Sequence, residues 1–114
     1  MRVVKKGSGE KYTPPGHDDA VIALKMFDPQ RGSSKVDVHI TTFAARTTMD
    51  EEVHADSDHV FYMLSGSLEF RQGQKTVTVI SEGDSVHIPA GELHQSVNST
   101  EESATVLVVT VPPV

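Results

Sequence analysis

Apolar and polar positions along this chain keep the two-residue period of β-structure and never hold a helical period for three turns. Val36, Val38, Ile40 and Thr42 alternate with Asp37, His39, Thr41 and Phe43, the pattern of a half-buried strand. Val21 to Phe27 is apolar enough for a strand and is closed by Asp28-Pro29 and a Gly32-Ser33-Ser34 turn. Val60-Phe-Tyr-Met-Leu64 reads as a wholly apolar strand stopped at Ser65-Gly66. Ser67 to Arg71 and Thr76 to Ile80 flank Gln72-Gly73-Gln74-Lys75, a glycine-bearing hairpin connection. Val86-His-Ile88 is a short strand ended by the turn Pro89-Ala-Gly91, and Ser96 to Asn98 and Thr105 to Val111 supply the last strands. Many short strands with turn signals between them predict an all-β sandwich or barrel.

Length makes this one domain, since 114 residues match the usual domain size and suffice for a core without staples. The barrel is expected over residues 21–111, preceded by an N-terminal arm over residues 1–20. That arm ends in the extended Tyr12-Thr-Pro14-Pro15-Gly16 segment, because prolines lack donors and bias their neighbours away from helix. The arm is long for a minimal barrel and is expected to pair with a second subunit, making a homodimer. His17 follows the Pro-Pro-Gly turn and is expected at the subunit contact.

Composition then narrows the chemistry. The absence of cysteine removes disulfides, thiolate metal sites and a thiol nucleophile, so any metal must be held by nitrogen and oxygen. A net charge of −6 argues against a nucleic-acid partner. No stretch approaches the ~20 apolar residues of a membrane span, and the first residues have no run resembling a signal peptide, so a soluble cytoplasmic protein is expected.

The chemistry gathers between Glu52 and Asn98. Glu52 and His54 are two apart and share a face on a strand. The Ala55-Asp-Ser-Asp58 turn resets the phase, after which His59, Phe61 and Met63 share a face. His94 follows Pro89-Ala-Gly91, with Ser96 and Asn98 in phase behind it. At the mouth of a barrel these strands can bring Glu52, His54, His59 and His94 onto one divalent ion, leaving positions for water or substrate. Phe61, Met63 and Ser96 are expected to line the pocket, though core packing explains the first two equally well. Tyr62 lies out of phase and is expected in the core or an interface. His87 is expected on the barrel surface or at an interface, Glu92 in solvent, and Asp56 and Asp58 as turn formers. His39 shares a face with Asp37, Thr41 and Phe43, a face the sequence leaves unassigned, and is the candidate general base.

The run Gly83-x5-Pro89-x-Gly91-x2-His94-x3-Asn98 matches every fixed position of the second signature motif of the cupin superfamily. Glu52-Val-His54-x4-His59-x6-Gly66 keeps the spacing of its first motif from the first ligand to the closing glycine. The chain therefore resembles the small, single-domain, metal-binding RmlC-like cupins. The resemblance implies a double-stranded β-helix, or jelly-roll, barrel with one divalent first-row metal: iron, manganese, nickel, zinc or copper. Two departures stand out. The first ligand of the motif is usually His and the third Glu, whereas here Glu52 and His59 stand in the opposite order; either Glu52 is a ligand or it turns to solvent and leaves three histidines. The glycine that opens the first motif is replaced by Arg46, which either reshapes the turn or projects toward the pocket.

The resemblance implies a metal-dependent enzyme acting on a small oxygen-bearing organic substrate, as lyases, isomerases or cyclases, and dioxygenases of this type do. The alternative is a non-catalytic cupin that binds a small ligand or a metal. A storage or structural use fits poorly with so complete a ligand set.

Overall fold

The computed structural model describes residues 1–14 and 20–114; His17 lies outside the described residues. The strands are β1 (Glu10–Tyr12), β2 (Val21–Phe27), β3 (Asp37–Phe43), β4 (Thr47–Thr48) and β5 (Asp58–Ser65) in the first half. The second half supplies β6 (Ser67–Gln72), β7 (Lys75–Ser81), β8 (Ser85–Ile88), β9 (Gln95–Asn98) and β10 (Ala104–Val111). They form a six-stranded sheet, ordered β1-β2-β3-β10-β5-β8, and a four-stranded sheet, ordered β4-β9-β6-β7. Every strand pairing within the two sheets is antiparallel. Strands distant in sequence lie side by side, β3 and β5 both on β10, so the chain winds back and forth between two facing sheets. This is the all-β double-stranded β-helix. No helix among the described residues is long and apolar enough to cross a membrane.

Local chemistry explains the joints. Gly73 and Gln74 both take left-handed backbone, with φ of 56° and 69°. That is the two-residue hairpin geometry matching the twist of β6 and β7. Between β5 and β6 the chain turns at Gly66, φ 75°, where an added Cβ would stand 2.6 Å from the Ser103 carbonyl oxygen and 2.9 Å from Ala104 Cα. Only glycine fits that approach. Arg46, at the glycine position of the first motif, adopts the left-handed backbone itself, φ 56°. Its side chain does not project toward the pocket: it is exposed and donates from Nε to Glu101 at 2.9 Å.

A single core sits between the sheets, with Met63, Leu68 and Val106 fully enclosed. Phe61 of one sheet meets Phe70 of the other edge to face at 5.2 Å, a favoured aromatic geometry. Asn98, 0% exposed, staples the base of the barrel. Its amide donates to the carbonyls of Ala44 at 3.0 Å and Glu102 at 2.8 Å, and its oxygen accepts from Thr100.

Part of the expected arm, Glu10–Tyr12, lies along β2 of its own chain as an edge strand. Arg31 secures it by pairing with Glu10, and Lys25 lies 4.6 Å from the centre of the Tyr12 ring. The sense of β3 is opposite to what an apolar-inward rule gives. Asp37, His39, Thr41 and Phe43 face the interior, while Val38 and Ile40 face out, because the interior at this end is an open cavity that Glu52 and the histidines also border rather than close-packed core.

Candidate metal centre

Two segments carrying no ladder of their own are stitched together by backbone hydrogen bonds. Glu52 and His94 exchange both main-chain bonds, at 2.8 and 3.0 Å, so their side chains emerge side by side on one face. The Gly91 N–H donates to the His54 carbonyl at 2.8 Å, tying the Pro89-Ala-Gly91 turn to the first histidine. Asp58 fastens the same turn to the start of β5, accepting from the Ala90 N–H at 2.9 Å and pairing with His87 at 2.8 Å. The His87 bond, with Ala90 next, holds the Asp58 carboxyl below its ordinary range. Asp58, a turn former by its sequence, thus joins the two halves of the site.

One ligating atom each of Glu52, His54 and His94 lies within 4.8 Å of the other two. His59, the third imidazole, is adjacent to this group, its ring centre 4.3 Å from that of His54 and 5.7 Å from that of His94. The hydrogen bonds aim these rings. His94 Nδ1 donates to the Glu92 carbonyl at 3.1 Å, which leaves its Nε2 lone pair free. His59 Nδ1 is paired with the Thr110 hydroxyl at 2.9 Å, and its Nε2 is buried with no protein partner. Glu52 Oε2 lies 3.0 Å from His54 Nε2, while the carboxylate stays 43% exposed. Burial, followed by repulsion from His54 and His94, pushes the His59 pKa down to about 4. Near neutral pH the ring is therefore uncharged.

This cluster fits a metal ion. A buried imidazole nitrogen without a partner loses its hydration for nothing, at a cost of about 1–3 kcal/mol. Two convergent imidazoles and a carboxylate, with the His59 ring packed beside them, form a nitrogen-and-oxygen donor set of the kind first-row divalent ions take.

The cluster lies in a cavity of about 390 Å³ opening between the sheets. Phe61 and Ser96 border it. Met63 does not: it lies two residues deeper on β5, 0% exposed, within the core. Tyr62 points out of the barrel, 43% exposed. His39 lines the cavity with its Nδ1 2.8 Å from Asp37 Oδ1. Asp37, Thr110, Lys25 and Tyr12 also border the cavity and escaped the sequence reading. The Asp-x-His spacing on a strand was the available signal for Asp37. Nothing local marks Thr110, which reaches His59 only through the pairing of β10 with β5.

The cupin domain family matches residues 39–110, and the chain belongs to it. Comparison with curated proteins at the level of sequence finds no match. Among solved structures, TT1209 from Thermus thermophilus is similar over 100% of both chains, with 24% identity and a TM-score of 0.77. The polyketide cyclase RemF from Streptomyces resistomycificus is 19% identical with a TM-score of 0.83, covering 97% of this chain and 79% of its own. A cupin-superfamily sugar phosphate isomerase from Silicibacter pomeroyi is 24% identical with a TM-score of 0.77, covering 96% of this chain and 75% of its own. At these identities the likeness is one of fold.

Proposed function

We propose that this cupin is a metal-dependent enzyme in which Glu52, His54, His59 and His94 hold one divalent first-row ion, drawn from iron, manganese, nickel, zinc and copper. Its substrate is a small oxygen-bearing organic molecule, and the reaction is of lyase, isomerase or cyclase, or dioxygenase type. The observation that carries this reading is the buried, unpartnered Nε2 of a neutral His59 beside the Glu52–His54–His94 group. The description of two structural neighbours as a cyclase and a sugar phosphate isomerase supports the choice of class.

When bound, such an ion supplies a Lewis acid that polarises a substrate oxygen. The chain supplies the rest. Thr110 and the Glu92 carbonyl hold the His59 and His94 rings at fixed angles, so little reorganisation remains on binding. Phe61 walls the inner end of the cavity and keeps water from one side. His39 is the general base: with Nδ1–H donated to Asp37, its Nε2 accepts a substrate proton. Asp37 is the positioning residue for that ring, setting its tautomer and stabilising the imidazolium that forms. The reading includes a cytoplasmic homodimer with no membrane partner and no nucleic-acid partner, the last supported by the net charge of −6.

Elemental analysis of purified, reconstituted protein tests the site. Wild type is expected to hold one equivalent of metal, His94→Ala to lose it, and Glu52→Ala to bind it more weakly. Undiminished metal in Glu52→Ala reduces the centre to three histidines, and a wild type that takes up none ends the reading. Metal and small-anion binding without turnover across candidate substrates identifies a binding module instead.

A further inference from the structure

Strand register fixes the place of Lys25 on the inward face of the six-stranded sheet. Lys25 on β2 pairs across from His39 on β3, His39 from Val108 on β10, and Val108 from Phe61 on β5. All four residues border the cavity, so the row runs from Lys25, past the candidate base, to the aromatic wall beside His59. Among the described residues that border the cavity, Lys25 is the only lysine or arginine. With Tyr12 and Asp37 it also borders an outer hollow of about 400 Å³, and so stands at the waist between that hollow and the cavity.

The Lys25 ammonium is positioned without being neutralised. The Tyr12 ring holds it at 4.6 Å, a cation–π distance, which gives the edge strand β1 a part in the site. Two carboxylates stand near it, Asp28 at 3.8 Å and Glu10 directly across on β1. Arg31 engages both. Asp28 accepts from its main-chain N–H at 2.9 Å and from its guanidinium at 2.6 Å, and Glu10 pairs with the other arm of the same guanidinium. Within the cavity Asp37 is engaged by His39, and Asp50 is exposed at the rim. The 3.8 Å contact with Asp28 is the one ion pair of Lys25 among the described residues, and its side chain is 26% exposed. An ammonium with three donors and one distant partner is ready to take an anion.

We propose that Lys25 binds a carboxylate of the substrate, which is then an organic acid whose second oxygen-bearing end reaches the Glu52–His54–His94 group. The inference rests on the metal-dependent reading above and gives it a substrate class. β2 lies three strands from β5, about 14 Å along the sheet, so the two ends of one molecule meet different residues. Val108 and Phe61 offer apolar surface to the carbon body between those ends. His39, next to Lys25 in the row, faces that body, where the proton it takes is carried. A carboxylate is the anion one lysine suits. A phosphate monoester carries about two negative charges and is met by an arginine fork or a helix N-terminus, and the one arginine nearby, Arg31, is already paired with Asp28 and Glu10.

Isothermal titration calorimetry of the zinc-reconstituted full chain with succinate, glutarate and adipate is the test, with acetate as the single-ended control. At least one diacid is expected to bind wild type about tenfold or more tighter than acetate, and to lose that advantage in Lys25→Gln. Lys25→Arg, which keeps the charge, is expected to retain most of it. Circular dichroism establishes that each variant is folded, and elemental analysis is expected to find one zinc in both. The Lys25 Cε resonance of wild type, followed with and without zinc, gives a second readout independent of any variant; succinate is expected to shift it. No diacid tighter than acetate, or the same preference in Lys25→Gln, overturns the subsite. Lys25-dependent binding of 3-phosphonopropionate that is tighter than that of succinate overturns the choice of carboxylate. A chain that takes up no zinc yet shifts its Lys25 resonance with succinate keeps the subsite and ends the metal reading. A zinc-loaded chain whose Lys25 resonance stays still keeps the metal reading and overturns the subsite.

Discussion

His59 shows how much one residue's surroundings decide. Its ordinary pKa of 6.5 falls to about 4 because the ring is buried and two other imidazoles stand against it. The unfolded chain therefore binds a proton that the folded, metal-free protein rejects over that interval. Stability is full above about pH 6.5 and declines as pH falls toward about 4. From about pH 7 to about pH 5 this group alone costs about 2 kcal/mol. Denaturant titration of metal-free protein is expected to show that decline, and His59→Leu is expected to remove its share of it. An equal decline in the variant would assign the acid sensitivity elsewhere. The identity of all four candidate ligands was legible in the sequence, since Glu52, His54, His59 and His94 sit at recognisable spacings. The support behind them was only partly legible. Asp37 two residues before His39 was within reach of strand periodicity, whereas Thr110 is 51 residues from His59 and meets it only across the sheet.

The elements divide in a similar way. β2, β5 and β10 were readable because apolar runs end at glycine, proline or serine turns. β3 was readable as a strand but not as to its faces, because alternation specifies two faces without saying which is inward. The turn between β5 and β6 belongs to this scale. Its Gly66 closes the first motif, and its fit depends on a carbonyl and a Cα contributed by residues 103 and 104. Gly66→Ala imposes both the left-handed backbone and the clash, so a loss of at least about 2 kcal/mol is expected. Thermal denaturation checks it; an unchanged midpoint would mean that the Ser103–Ala104 segment yields freely.

For the whole molecule, binding at the barrel mouth and stability are linked. The candidate ligands come from both segments that Gly91 and Asp58 stitch together, so an ion there clasps parts of the chain far apart in sequence. An ion at 100 times its dissociation constant adds about 2.7 kcal/mol to unfolding. In a domain of this size that raises the melting temperature by roughly 10 °C. Differential scanning calorimetry with and without a chelator is expected to show the shift in wild type and its loss in His94→Ala. No difference on chelation would separate the cluster from metal.

The sequence by itself determined the fold family and the ligand candidates. Turn residues and strand periodicity are local, and the motif spacings record them directly. Tertiary structure alone decided which face of β3 looks inward, that Met63 is core while Phe61 borders the cavity, and that Arg46 points away from the site. Each of these depends on what lies across the barrel or on the neighbouring strand. Such contacts follow from the closure of two sheets, and no window along the chain contains both partners.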